Sequence, residues 1–185
     1  MRNYAVILFA LLLVLSVSAC ERDKSGGGGQ GAAGPARNLP EQGVFMAPHF
    51  VLPAVAGEAV DSDAYRGRVL LVSFFATWCP PCMEEVPAFI ELQKEFAARG
   101  FSVLGLSVDE GGIDLVRRLV EKYGINYPVA MADQQVTRGF GGVSGIPVSF
   151  LVNREGQVVQ KYLGYTDHDV LKQDIQAQFA MAAAR

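Results

Sequence analysis

The run Val69-Leu70-Leu71-Val72-Ser73-Phe74-Phe75 is apolar at almost every position. A strand with one wet face alternates between apolar and polar residues. A run without alternation marks a strand buried on both faces, as in parallel sheets covered by helices on each side. The run leads directly into Trp78-Cys79-Pro80-Pro81-Cys82, and residues 81–98 continue with helical spacing. Val86, Phe89, Ile90, Leu92 and Phe96 supply the core face of that helix, Pro87 should kink it, and Gly100 ends it. A strand that ends where a helix begins puts both thiols at the helix N-terminus. Unsatisfied N–H groups and the dipole favour a negative charge there. Cys79 should therefore ionise more readily than a free cysteine, whose pKa is about 8.5. The Cys-x-x-Cys spacing also lets the sulfurs close a small ring and cycle between dithiol and disulfide. The plainer readings are a static disulfide or half of a zinc site. Zinc would need two more ligands, and His49 and His168 show no paired ligand spacing.

The rest of the chain fits around this unit. Short strands are expected near Phe50–Pro53 and Glu58–Val60, with a turn at Gly57 and a helical turn over residues 62–66. A second buried strand is expected over residues 101–108 and an amphipathic helix over 114–123, closed by Gly124. A short strand at 127–131 and a short helix at 134–140 follow. Residues 147–153 and 157–163 read as a hairpin over Arg154-Glu155-Gly156, and 167–184 as a closing helix. Strands alternate with helices until this hairpin, so the class is α/β with one mixed central sheet flanked by helices. With 185 residues, half of them hydrophobic, the chain can build one cored domain plus extensions. Lys and Arg (16) do not exceed Asp and Glu (19), and no basic stripe occurs, which argues against nucleic-acid binding.

The N-terminal part has a different composition. Residues 1–19 read as an export signal, with an apolar run from Ala5 to Leu15 and the small residues Ser16-Val17-Ser18-Ala19 just before Cys20. An uncleaved membrane anchor is the alternative, although Tyr4 to Ala19 is short against the roughly 20 residues a span needs. Residues 20–43 read as a flexible linker around the glycine run Gly26–Gly29. The globular domain is expected over residues 44–185.

Several stretches together resemble the thioredoxin superfamily, and within it the TlpA/ResA-like extracytoplasmic thiol-disulfide oxidoreductases. They are Ala47-Pro48-His49-Phe50, Phe74-Phe75-Ala76-Thr77-Trp78-Cys79-Pro80-Pro81-Cys82, Glu84-Glu85-Val86-Pro87 and Gly145-Ile146-Pro147. The segment 110–132 resembles the extra helix and strand that this branch inserts. The resemblance implies a thioredoxin-like fold with an N-terminal hairpin. It makes Cys79 the attacking thiol and Cys82 the resolving one, with no cofactor beyond their disulfide. It also implies a cis bond between Ile146 and Pro147, opposite the cysteines, where the backbone of Ile146 can pair with an extended substrate. Trp78 would belong to the same docking surface, or else to the core. Glu85, three residues after Cys82, could relay a proton during resolution, or could simply be an acid in the first helical turns. Tyr65, Tyr162 and Tyr165 read as packing residues. Two positions depart from the superfamily pattern. Ser73 stands where thioredoxin has a buried aspartate, and His49 where an acid is commoner.

Cys20 resembles the lipidated cysteine of bacterial lipoproteins. This implies a periplasmic-side, membrane-anchored monomer, with exported disulfide-containing proteins as substrates and a membrane protein as electron donor. Relatives typically act on apocytochrome c, so a role in cytochrome c biogenesis is expected. A copper-handling module and a peroxiredoxin-type peroxidase are the competing functions on this fold. The first usually has Cys-x-x-x-Cys with a distal histidine, and the second a Thr-x-x-Cys context.

Overall fold

The computed structural model describes residues 37–38 and 43–183. Cys20, the expected export signal and most of the expected linker lie outside the described residues. In chain order the strands are β1 (Arg37–Asn38), β2 (Phe45–Met46), β3 (Val51–Leu52), β4 (Val60–Asp61), β5 (Val69–Phe75), β6 (Phe101–Ser107), β7 (Val129–Met131), β8 (Val148–Val152) and β9 (Gln157–Leu163). The helices are α1 (Pro80–Phe96), α2 (Ile113–Tyr123), α3 (Gln134–Gly139) and α4 (His168–Ala183). A 3-10 turn spans Ser62–Tyr65, and another extends α1 through Ala97–Arg99.

β5 sits at the centre because every one of its side chains is buried. It pairs in parallel with β6, which pairs in parallel with β7. On its other side β5 meets β8 antiparallel, and β8 meets β9 antiparallel. The main sheet has seven strands in the order β1-β9-β8-β5-β6-β7, with β2 also on β9. This is the mixed α/β sheet that the sequence pattern implies. β3 and β4 form a separate hairpin, and the loop between them bridges to β7 through Ala54 and Ala130.

Arg37–Asn38, within the segment read as linker, pairs with Tyr162 and Lys161 of β9. The linker reading is therefore corrected at this point. An unpaired outer edge on β9 would leave a row of backbone donors and acceptors open, and β1 and β2 together occupy it. Such pairing depends on the partner strand, so glycine-rich composition does not reveal it.

Alternate residues of β5 feed two cores. Val69, Leu71 and Phe75 face α1 and α4, together with Phe89, Leu92, Phe96, Ile175 and Phe179. Leu70, Val72 and Phe74 face the other way, onto Phe50, Val136, Phe140 and Phe150. α1 runs unbroken through Pro87 to Phe96. Gly100 takes the left-handed conformation after its 3-10 extension and turns the chain into β6. Phe140 matters for the site because it anchors the start of the loop that reaches Pro147. Its ring lies 4.9 Å from Phe150, 5.5 Å from Phe74 and 6.5 Å from Phe50. Phe140→Ala is expected to cost about 3–5 kcal/mol of stability. Denaturant unfolding monitored by circular dichroism measures this, and a loss below about 1 kcal/mol would show that the loop anchors elsewhere.

Candidate active site

The carboxyl ends of β5 and β6 lie side by side, with Phe75 paired to Ser107 and the Val108 N–H donating to the Phe75 carbonyl at 2.9 Å. Open α/β sheets place their sites beyond such strand ends. From Phe75 the chain makes one tight turn, in which the Cys79 N–H donates to the Ala76 carbonyl at 3.1 Å. Cys79 is then the N-cap of α1, and Pro80 and Pro81 fill the first two helical positions. These are positions where a proline's missing N–H costs nothing, because no intrahelical acceptor awaits it. They also remove two donors that could have turned towards a thiolate on Cys79.

Cys79 and Cys82 are joined in a disulfide with Cα atoms 5.3 Å apart. Both are buried, Cys79 at 4% exposure and Cys82 at 2%, so the expected contrast in exposure is slight in the oxidised pair. Trp78 is 68% exposed, which removes the core alternative for it. Tyr165, read as a packing residue, is also largely exposed, whereas Tyr162 is buried with its hydroxyl donating to Asp174 at 2.8 Å. The Ile146–Pro147 peptide is cis. Ile146 packs against the core that holds both cysteines, and a cleft runs beside it past Val143, Pro147, Lys161 and Leu163. Among the described residues, the one group of three metal-ligating side chains is His49, Asp61 and Asp63 on the β3–β4 hairpin. It includes neither cysteine, so the zinc-site reading gains no further ligands.

Glu85 is the distinctive group. One helical turn past Cys82 it is only 1% exposed, which excludes the solvated first-turn acid. Its Oε1 accepts from the Thr166 N–H at 2.9 Å, and its Oε2 is buried without a hydrogen-bond partner. Burial pushes its pKa up from an ordinary 4.5 to about 8, against the opposing pull of the Thr166 N–H. At neutral pH the carboxyl therefore carries a proton, for which the unpartnered Oε2 offers a place. Tyr127, in the segment read as an insertion, is raised too, first by its own burial and then by the Glu85 charge. A small cavity beneath the disulfide is lined by Cys82, Ser73, Val86, Phe89, Gly105 and Tyr127. Ser73 thus reaches the place next to the resolving sulfur, but as a hydroxyl. The carboxyl near this pair comes from the helix instead of the strand.

The sequence missed three parts of this site. Thr166 is 81 positions from Glu85, so only the fold brings its N–H there. Tyr127 was read as part of a strand, although its ring lies over Gly105, where a Cβ would stand 3.5 Å from it. Asp109 was not singled out, yet it holds the turn before Cys79 through Thr77. Its signal was legible: Asp109 is an acid two residues past a buried strand that carries no charged residue.

Because folded Glu85 keeps its proton to about pH 8 and the unfolded chain releases it near 4.5, the folded state binds more protons between those values. Its contribution to stability is whole below pH 4.5 and declines as pH rises to about 8, by at most ~1.4 kcal/mol per pH unit. Glu85→Gln should flatten that decline. Urea unfolding of the oxidised protein at pH 5, 6.5 and 8 checks this; parallel curves for the two proteins would mean that Glu85 ionises normally.

Residues 43–177 match the Redoxin family. The thiol-disulfide oxidoreductase ResA of Bacillus anthracis is 34% identical over 118 residues, which cover 64% of this chain and 68% of that protein. ResA of Bacillus subtilis strain 168 is 34% identical over 119 residues, covering 64% and 65% respectively. Among solved structures, a thiol:disulfide interchange protein of the thioredoxin family from Chlorobium tepidum is 34% identical. It matches with a TM-score of 0.69 over 73% of this chain and 96% of its own. A Cys-x-x-Cys disulfide at a helix N-terminus, a cis proline and these relatives agree: the chain belongs to the Redoxin family of the thioredoxin superfamily, as a TlpA/ResA-like thiol-disulfide oxidoreductase.

Proposed function

We propose that this oxidoreductase works as a reductant of disulfides in exported proteins, tethered to the outer side of a membrane through Cys20. The observation that carries the reading is the buried, proton-holding Glu85 one turn from the resolving cysteine. In the reductive direction the Cys79 thiolate attacks a substrate disulfide. A mixed disulfide forms, and the first substrate sulfur leaves as a thiolate that takes a proton from water. Cys82 then gives its proton to the Glu85 carboxylate and attacks Cys79. The second substrate thiolate leaves, and the Cys79–Cys82 disulfide closes with Glu85 protonated. Reduction by a donor dithiol runs the steps backwards, with Glu85 returning its proton to the departing Cys82 sulfur. One carboxyl thereby acts as base in one half-cycle and acid in the other, and a pKa near neutrality suits both. Trp78 and the cis-Pro147 loop supply the surface on which an extended substrate segment docks, with the Ile146 backbone as its pairing edge.

A domain outside the cytoplasm has no access to cytoplasmic thiol reductants, so its electrons must come through a membrane protein. Apocytochrome c, with its Cys-x-x-Cys-His site, is the substrate class we favour. We take the active form to be a monomer that needs no cofactor. Copper titration and a peroxide-turnover assay separate this reading from the metal-handling and peroxidase alternatives.

Two experiments test it. Cys82→Ser should trap exported proteins on Cys79 as mixed disulfides, visible as reductant-sensitive bands on a gel, and Cys79→Ser should trap none. Trapping by Cys79→Ser and none by Cys82→Ser would reverse the two roles. Mass spectrometry of the membrane-extracted protein should find residues 1–19 removed and a lipid on Cys20; an intact N-terminal segment would mean a signal anchor.

A further inference from the structure

Asp109 follows β6 and is nine-tenths buried. Its Oδ2 accepts from the Thr77 N–H at 2.9 Å and from the Ser107 hydroxyl at 2.8 Å, and its Oδ1 accepts from the Thr77 hydroxyl at 2.6 Å. Its own N–H donates back to the Ser107 oxygen at 3.1 Å. Thr77 is the second residue of the turn that begins at Ala76 and ends at Cys79. The carboxylate therefore ties the end of β6 to the one turn that delivers the first cysteine to the helix end. Every donor it uses is neutral, and among the described residues no lysine, arginine or histidine pairs with it. A carboxylate met only by neutral donors has no cation beside it to offset its charge, and in a medium of low polarisability such a charge acts over several ångströms.

We infer that Asp109 is a positioning residue for Cys79, which both clamps the turn carrying the thiol and opposes thiolate formation there through its charge. The inference rests on the thiol-disulfide reading given above. The α1 N-terminus favours a thiolate on Cys79, and the Asp109 carboxylate works against it. The balance matters because a stabilised reduced form makes an oxidant, so a charge that destabilises the thiolate keeps the pair a better electron donor. Other ionisable groups on the elements packed around the pair are Cys82, Glu84 and Glu85 on α1, Glu110 directly after Asp109, Tyr127 ahead of β7, Lys161 on β9, and Asp167, His168 and Asp169 at the start of α4. The loop from Gly142 to Pro147 brings none.

Asp109→Asn separates charge from clamp. With its carbonyl oxygen in the Oδ2 position, asparagine still accepts from the Thr77 N–H and from Ser107. Its amide nitrogen can donate to the Thr77 hydroxyl, which rotates to accept. Thr77→Val is the complement: it deletes one clamp bond and leaves the carboxylate. The readout is the ionisation constant of Cys79 in the reduced full-length protein. It comes from the pH dependence of alkylation, followed by peptide mass so that Cys20, Cys79 and Cys82 are read separately. The expected result is about a tenfold rise in that constant for D109N and less than a twofold change for T77V, with T77V the less thermally stable of the two. A D109N value within twofold of wild type, or equal shifts in both variants, would overturn the inference and leave Asp109 a purely structural tie. A wild-type protein that fails to exchange with glutathione would instead overturn the thiol-disulfide reading on which the inference stands.

Discussion

The structure depends on one junction, where the central strand β5 runs out of the sheet and turns within four residues into the N-terminus of α1. β5 is held by β6 on one side and β8 on the other, and both of its faces are buried, so its end cannot drift. That rigidity passes to Cys79. The sulfur sits at the positive end of a helix because the backbone leaves it no other place, and the two prolines after it keep competing N–H donors away. The cis peptide before Pro147 opens β8, the strand that pairs with β5, so the surface beside the cysteines rests on the same sheet.

Around this junction the charges are arranged in opposition. The helix end favours a thiolate. Two carboxyl groups with different surroundings set the counterweight. Glu85 is buried with one oxygen unpartnered, and so stays protonated near neutrality. Asp109 is buried with every contact of its carboxylate a donor to it. Burial with a single donor for its two oxygens favours the neutral acid at Glu85. On the proposed reading, a proton reservoir beside the inner sulfur and a fixed negative charge behind the outer one together favour giving electrons.

The sequence carries the fold well because its strongest signals are local. The unalternating β5 run, the helical spacing after it and the glycines at helix ends each follow from a few neighbouring residues. The cysteine pair was legible for the same reason, and Pro147 through the family pattern. What stayed hidden was whatever needs two distant segments to meet. The burial of Glu85 depends on the loop that carries Thr166, and sequence alone could only set a catalytic acid beside a solvated one. The exposure of Trp78 depends on what fails to cover it, and the pairing of Arg37–Asn38 depends on an edge of β9 that no local pattern announces. Tyr162 and Tyr165 show the limit plainly: three positions apart in one chain, one is buried and the other is not.

The central claim is that the Cys79–Cys82 pair is poised to donate electrons, and its reduction potential tests this most directly. Equilibration of the purified protein against glutathione, with Trp78 fluorescence or thiol alkylation as the readout, gives the value. The account predicts a potential below about −200 mV, towards the reducing end of this fold. A value near −120 mV, where the strong periplasmic oxidant DsbA lies, would contradict it while leaving the fold and the disulfide in place.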